Sequence, residues 1–181
     1  CIHLGATSND IVDSAVALQI KDSITMQVDA LKQLIGTMCA IAERERDTVM
    51  LGRTHGQAAV PITFGLKVAV WVDEFVRHLE RLGELSSRAT TGKFMGAVGT
   101  GAAQGEQAFE LQSLIMGDLG LGTPVATTQV VGRDRYIEWV GWMANVATSV
   151  EKVLQEVRNL QRSEIAEVAE AFDTDKQVGS S

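Results

Sequence analysis

The chain is short of the residues that most often staple or break a fold. Only two cysteines occur in 181 residues, Cys1 and Cys39, far apart and without spaced partners. That excludes a disulfide framework and a cysteine-ligated zinc site, and it fits a reduced chain in which Cys39 is a buried thiol. Prolines number two and aromatics make up 5% of the residues. Ala, Val, Leu, Ile and Met dominate a 45% hydrophobic content, the economy of helix-on-helix packing rather than of a β-sandwich. No apolar run approaches the ~18 residues of a membrane span, and there is no signal-peptide pattern. The net charge of −7 comes with no basic stripe, which argues against nucleic-acid binding. It leaves room for a small anionic substrate, because the charge at a site matters more than the total. Length and composition fit one cytoplasmic domain with a real core. The chain opens on Cys1 and stops after Ser181, so it reads as the central piece of a longer protein with flanking N- and C-terminal domains outside it.

Heptad periodicity fills most of the length. From Asn9 to about Val49, Ile24, Val28, Leu31, Ile35, Met38 and Ala42 step by four and three. Ser8 or Asn9 can cap this helix, with Asp10 and Asp13 near its positive end. At ~1.5 Å per residue it would run about 60 Å. A second helix is expected from Pro61, suited to a first helical position, to about Arg88, with Phe64, Val68, Trp71, Phe75, Leu79 and Leu82 on its seam. A third is expected from about Arg135 to Ala171, seamed by Trp139, Met143, Val146, Val150, Val153, Val157 and Leu160. A short helix covers Gln112 to Leu119, a loop follows from Gly120 to Gly132, and no β-structure of consequence is expected. The fold class is therefore all-α, with long antiparallel helices. Val140, Ala144, Ala147 and Leu154 add a second apolar face to the third helix, which calls for bundling between copies of the chain.

Three polar stretches interrupt the helices. His55 lies in Gly52-Arg53-Thr54-His55-Gly56-Gln57, where glycines break helix and hold a side chain that titrates near neutrality on a turn. It is either a general acid or base with Thr54 as a hydrogen-bond donor beside it, or an exposed loop histidine. Thr7 and Ser8 stand where a helix opens, so they either bind an anion with the free amides or merely cap the helix. His3 shares their neighbourhood. Thr127-Thr128-Gln129 and Arg133-Asp134-Arg135 precede the third helix, as donors to a ligand or as ordinary helix-boundary residues. Gly179-Ser180-Ser181 reads in isolation as a loose end. Gly96-Ala97-Val98-Gly99-Thr100-Gly101 has the look of a nucleotide loop, but Gln104 stands where the third glycine should be and no strand precedes it. It reads better as a helix break with close backbone packing. His78, mid-helix, reads as a solvated surface residue.

Taken together, His3-Leu4-Gly5-Ala6-Thr7-Ser8-Asn9-Asp10, Gly52-Arg53-Thr54-His55-Gly56-Gln57-Ala58 and Gly179-Ser180-Ser181 resemble the three signature regions of the fumarase/aspartase superfamily, in order and at the ends of long helices. Thr128-Gln129, Arg133-Asp134-Arg135 and Asn159-Leu160-Gln161-Arg162-Ser163-Glu164 agree as well. The resemblance covers nearly the whole chain and is nearest to the branch that cleaves adenylosuccinate. Ala6-Thr7-Ser8 differs from the arginine and serine of argininosuccinate-cleaving relatives, and Ile11 stands where fumarases and aspartases place proline. Carboxymuconate cycloisomerases match the first region and Thr63-Phe64-Gly65-Leu66-Lys67, yet they lack a histidine at His55. Tyr136 and Gly132 depart from the commoner histidine and glutamine of this branch. The resemblance implies a homotetramer, each active site built from three subunits, that releases fumarate from an anionic nucleotide substrate by β-elimination without metal or organic cofactor. It implies Ser180 as the base and His55 as the general acid. His3, Thr7, Ser8, Thr54 and Gln129 would bind substrate, and the fragment alone would be inactive. A non-catalytic helical scaffold is the rival of another class. It accounts for the seams but not for a histidine between glycines.

Overall fold

The structure is a computed structural model that describes residues 2–171. Four helices and one hairpin follow in the order α1 (Ser8–Arg44), β1 (Val49–Thr54), β2 (Gln57–Thr63), α2 (Phe64–Ala89), α3 (Ala108–Leu119) and α4 (Asp134–Leu160), with a single 3-10 turn at Gly105–Gln107 before α3. The long helices run to 37, 26 and 27 residues, as the seams require. Their directions follow from side-chain contacts at the two ends. Arg135 near the start of α4 bonds the Arg88 carbonyl at the end of α2, while Lys67 at the start of α2 pairs with Glu156 near the end of α4. Hence α2 is antiparallel to α4. It is antiparallel to α1 too, because Gly65 donates to the Glu45 carbonyl just past α1 and Ser14 bonds the main chain of Lys93 just past α2.

The core is the meeting of the seams. Ile20, Ile24, Leu31 and Met38 of α1 pack with Val68, Trp71, Phe75, Leu82, Leu85 and Ala89 of α2 and Trp142 of α4. Of the expected seam residues of α4, Trp139, Met143, Val146, Val153 and Val157 pack at its edge, Leu160 is buried at the helix end outside this cluster, and Val150 is exposed. A smaller cluster of Ala17, Met116 and Leu121 docks α3 on the first half of α1. Much apolar surface stays open: Ile137, Val140, Val150 and Leu154 along α4 are exposed, and an apolar groove of about 340 Å³ runs between Leu31, Leu34, Phe75, Trp142, Met143 and Val146.

Four expectations are corrected here. The stretch from Val49 to Thr63 is an antiparallel hairpin where no β-structure of consequence is expected, and the helices end at Arg44 and start at Phe64 rather than at about Val49 and Pro61. Past the end of α1, the carbonyls of Thr48 and Glu45 accept, at 2.9 Å each, from Phe64 N and Gly65 N, the first two amides of α2. These are groups that every helix leaves unpaired at its termini. Pro61 lies in β2 opposite Leu51, and Thr63 caps α2 by accepting from Leu66 N at 3.1 Å. Second, α4 ends at Leu160, whose carbonyl accepts the amides of Glu167 and Val168 from a turn with Ala166 at φ 50°, so the chain does not continue helically to Ala171. Third, Cys39 is exposed, since it falls one position off the buried seam residue Met38.

The fourth concerns His78, which is 1% exposed. Its Nε2 meets Ser149 Oγ at 2.8 Å, Ser149 bonds Glu74 at 2.6 Å, and Glu74 pairs with Lys152. Trp142 Nε1 donates to the His78 carbonyl at 2.9 Å. A polar chain thus crosses the α2–α4 contact, and position 78 faces it because it lies three residues past Phe75 on the same stripe. Burial pushes the His78 imidazole below its ordinary value of 6.5, and the nearby Arg81 charge adds to that. The unfolded chain then takes up this proton at higher pH than the folded one. Protonation of His78 therefore has no effect on stability above about pH 6.5, and stability falls as pH drops through that value. Urea unfolding at about pH 7.5 and 5.5 should show the lower midpoint at acid pH, and His78→Gln should narrow the difference between the two.

Candidate functional site

Two polar clusters form, at opposite ends of α1. At the first, Thr7 rather than Ser8 is the N-cap residue, and Ser8 opens the helix with its side chain exposed. The Asp10 carboxylate reaches back to Thr7 N at 2.8 Å, so the acid one turn in satisfies an amide that a bare helix start leaves free. Gln129 Nε2 donates to Thr7 Oγ1 at 3.3 Å, which brings two of the expected binding residues together. Their loop is strapped to α1 by Asp13, which accepts from Val131 N at 2.8 Å and Arg133 Nη1 at 2.9 Å. His3 sits in the exposed turn just before, with φ 68°. Arg133 stacks over the Tyr136 ring at 5.1 Å. Burial, with the Asp13 charge beside it, pushes the Tyr136 hydroxyl up, and it has no hydrogen-bond partner among the described residues.

The glycine-rich stretch packs against this cluster rather than cradling a phosphate. A Cβ on Gly99, at φ 79°, would lie 2.1 Å from the Thr127 carbonyl oxygen. Gln104, the residue that spoils the dinucleotide fingerprint, donates to the Gly5 carbonyl at 3.0 Å. Beneath it lies a group that sequence reasoning missed: Lys93, 0% exposed, its ammonium bonded to Asp10. Burial alone would raise the Asp10 carboxyl. Hydrogen bonds from Lys93 and from the amides of Thr7 and Met95 outweigh it and leave the carboxyl below its ordinary range. The only signal for Lys93 was a lone lysine in an otherwise apolar and glycine-rich run.

At the second cluster, His55 and Gly56 form the two-residue turn of the hairpin with φ 53° and 72°. Positive φ at both central positions is the turn that matches strand twist, and histidine tolerates it better than most residues. Thr54 and Gln57 close the last pair, and both Thr54 and His55 are exposed. Gly52 serves the hairpin itself: a Cβ there would meet the Val60 carbonyl at 2.3 Å. Arg53 fixes the strand with a two-pronged bond to Glu167 at 2.8 and 2.9 Å, which holds the Glu167 carboxyl below its usual range. Arg53, Gly56, Lys67, Glu156, Asn159 and Arg162 line a polar groove of about 640 Å³ beside the turn. Ser180 lies outside the described residues.

A helix of 37 residues at ~1.5 Å per residue separates the clusters by about 55 Å. Thr7, Ser8, Gln129 and His3 are at one end; Thr54 and His55 are at the other. No single copy of the chain brings them together. What fold and clusters define is a scaffold of long helices, with a polar helix start around Thr7 at one end and a histidine turn at the other. Residues 1–181 match the family model described as Lyase. The chain is 51% identical over 180 residues to an adenylosuccinate lyase of Pyrococcus abyssi, which covers 99% of this chain and 40% of that protein. It is 39% identical over 180 residues to an N-acetyl-S-(2-succino)cysteine lyase of Enterococcus italicus, covering 99% and 39%. The crystal structure of a fumarate lyase from Mesorhizobium sp. BNC1 superposes with a TM-score of 0.87 at 38% identity, over 93% of this chain and 40% of that one. The chain belongs to this lyase family, within the fumarase/aspartase superfamily. It spans about two-fifths of the length of the curated relatives it matches.

Gly99→Ala should force the glycine-rich stretch off the Thr127 carbonyl and cost about 1–3 kcal/mol. Gly117→Ala, at an exposed position of α3 with nothing within 4 Å of the added Cβ, should leave stability unchanged or raise it by up to about 1 kcal/mol. Chemical denaturation of the two variants side by side checks the contrast.

Proposed function

We propose that the full-length protein is an adenylosuccinate lyase. It would release fumarate from adenylosuccinate to give AMP, and from the succinylated aminoimidazole carboxamide ribotide. The observation that carries this reading is a helix start bearing Thr7, Ser8 and Gln129 together with a histidine held on a left-handed turn, in a chain half identical to enzymes of that name. In the elimination a base removes a proton from the succinyl Cβ and the carbon–nitrogen bond breaks as the carbon–carbon double bond forms. The leaving nitrogen takes up a proton. Thr7, Ser8 and Gln129, with the dipole and amides of α1, suit the succinyl carboxylates, including the one that gathers charge as the Cβ proton leaves. Thr54 and His3 add donors. His55 is the general acid for the leaving nitrogen and Ser180 the base.

Because the groups lie about 55 Å apart in one chain, a working site needs several copies. We infer a homotetramer in which the exposed apolar face of α4 and the groove beside Leu34 and Met143 are buried in a central bundle. Antiparallel bundling sets the α1 mouth of one subunit beside the hairpin of another. The chemistry calls for no metal or organic cofactor. A second reading, favoured by the Enterococcus italicus relative, keeps the succinyl half and replaces the nitrogen leaving group by sulfur.

In the full-length enzyme, His55→Gln should lower turnover of adenylosuccinate at least about a hundredfold with KM little changed, because glutamine hydrogen-bonds but transfers no proton. His3→Gln should be milder. Following absorbance with adenylosuccinate and, in parallel, N-acetyl-S-(2-succino)cysteine separates the two leaving groups; elimination at the wild-type rate by His55→Gln would remove it from the mechanism. Inactive His55→Gln and Thr7→Val proteins, unfolded together and reassembled, should regain activity, since some mixed sites draw both intact residues from different subunits. No recovery would speak against a shared site.

A further inference from the structure

Asp10 and Lys93 form an ion pair whose side chains are both 0% exposed, in the small glycine-rich half of the molecule. A buried ion pair is a poor source of stability, because desolvation of both charges offsets their attraction. Its value here lies in what it joins. One Asp10 oxygen accepts the Lys93 ammonium and Met95 N at 3.1 Å; the other accepts Thr7 N at 2.8 Å and Gly96 N at 3.0 Å. Lys93 also faces the Gly96 carbonyl at 3.5 Å, and its main chain is held by Ser14 Oγ at 3.2 Å in both directions. Four donors from two segments therefore converge on one carboxylate. One segment is the start of α1. The other leads into Gly99, which rests on the Thr127 carbonyl two residues before Gln129. This node, together with the Asp13 strap to Val131 and Arg133, holds the spacing between Thr7 and Gln129.

Resting on the functional reading above, we propose that the Asp10–Lys93 pair is a positioning device. It clamps the start of α1 to the glycine-rich stretch so that Thr7, Ser8 and Gln129 present their donors to a dicarboxylate as one surface. Neither residue touches substrate. Lys93 has a second consequence: it cancels the carboxylate that would otherwise place a negative charge one turn from the anion-binding mouth. Asp10 thus serves as a multiple acceptor without repelling the ligand.

The test uses the full-length protein and two readouts. One is the KM and kcat for adenylosuccinate; the other is the rise in melting temperature produced by succinate, which needs no turnover. Asp10→Asn should lower the melting temperature, because Lys93 is left a buried charge without its partner, and raise KM roughly tenfold or more, with kcat much less affected, because one carboxamide oxygen replaces two on Thr7 and Gly96. The double variant Asp10→Asn with Lys93→Met removes both charges and should regain most of the lost stability. Its KM should stay raised and its succinate response weak, because the clamp on Thr7 and Gly96 is still missing. If KM and the succinate response recover along with stability, the pair is merely structural and the proposal falls. It falls too if folded Asp10→Asn binds as the parent does. A parent protein that responds to succinate yet leaves adenylosuccinate intact would sink the functional reading while leaving the clamp to be judged by the succinate response alone.

Discussion

The contact between α2 and its two neighbours is the constraint on which both ends depend. Phe75, Leu82 and Trp142 have almost no exposed surface, and they join three helices whose stability comes mainly from packing their apolar faces together. A long helix held along one seam acts as a rigid spacer. It fixes how far the mouth at Thr7 stands from the turn at His55, and it leaves the chemistry at each end free to be built from loops. That division suits the proposed site, in which carboxylate recognition and proton transfer come from different copies of one chain.

Polarity inside the bundle follows a different rule at each level. Across α2 and α4, His78, Ser149 and Glu74 form a chain that runs outward to Lys152, so charge is shed toward solvent. At the start of α1, Asp10 and Lys93 are sealed and neutralise one another. The first arrangement tolerates protonation at a cost in stability. The second has no route to water, and it sits where backbone amides from α1 and from the glycine-rich stretch must be held together.

The long helices were legible in sequence because a seam of four and three is read directly from apolar positions, and the packing partner scarcely alters it. Val49 to Thr63 was not legible. Its alternation is weak, with Ala58, Ala59 and Val60 all exposed, and its ends are set by amides of α2 bonding carbonyls beyond α1, a contact that no local pattern announces. His78 was misjudged because its neighbours Arg77, Glu80 and Arg81 are charged, while burial on a helix is decided by the stripe shared with Phe75. Of the candidate site, Thr7 and Gln129 were recognised and do meet. The role of Lys93 was hidden behind a single faint signal, since its partner lies 83 residues away. Motif residues identify themselves by type and spacing; the residues that hold them identify themselves only by three-dimensional contact.

The two-residue turn at His55 and Gly56 makes the hairpin a ruler. Side chains alternate sides along each strand, so adding or removing one residue in either arm would swing every side chain beyond it to the opposite face. The tip would then present a different residue in place of His55, however well the arms still paired. Tolerance to change in this segment should accordingly be lopsided: wide for the identity of the exposed Ala58, Ala59 and Val60, and narrow for its length.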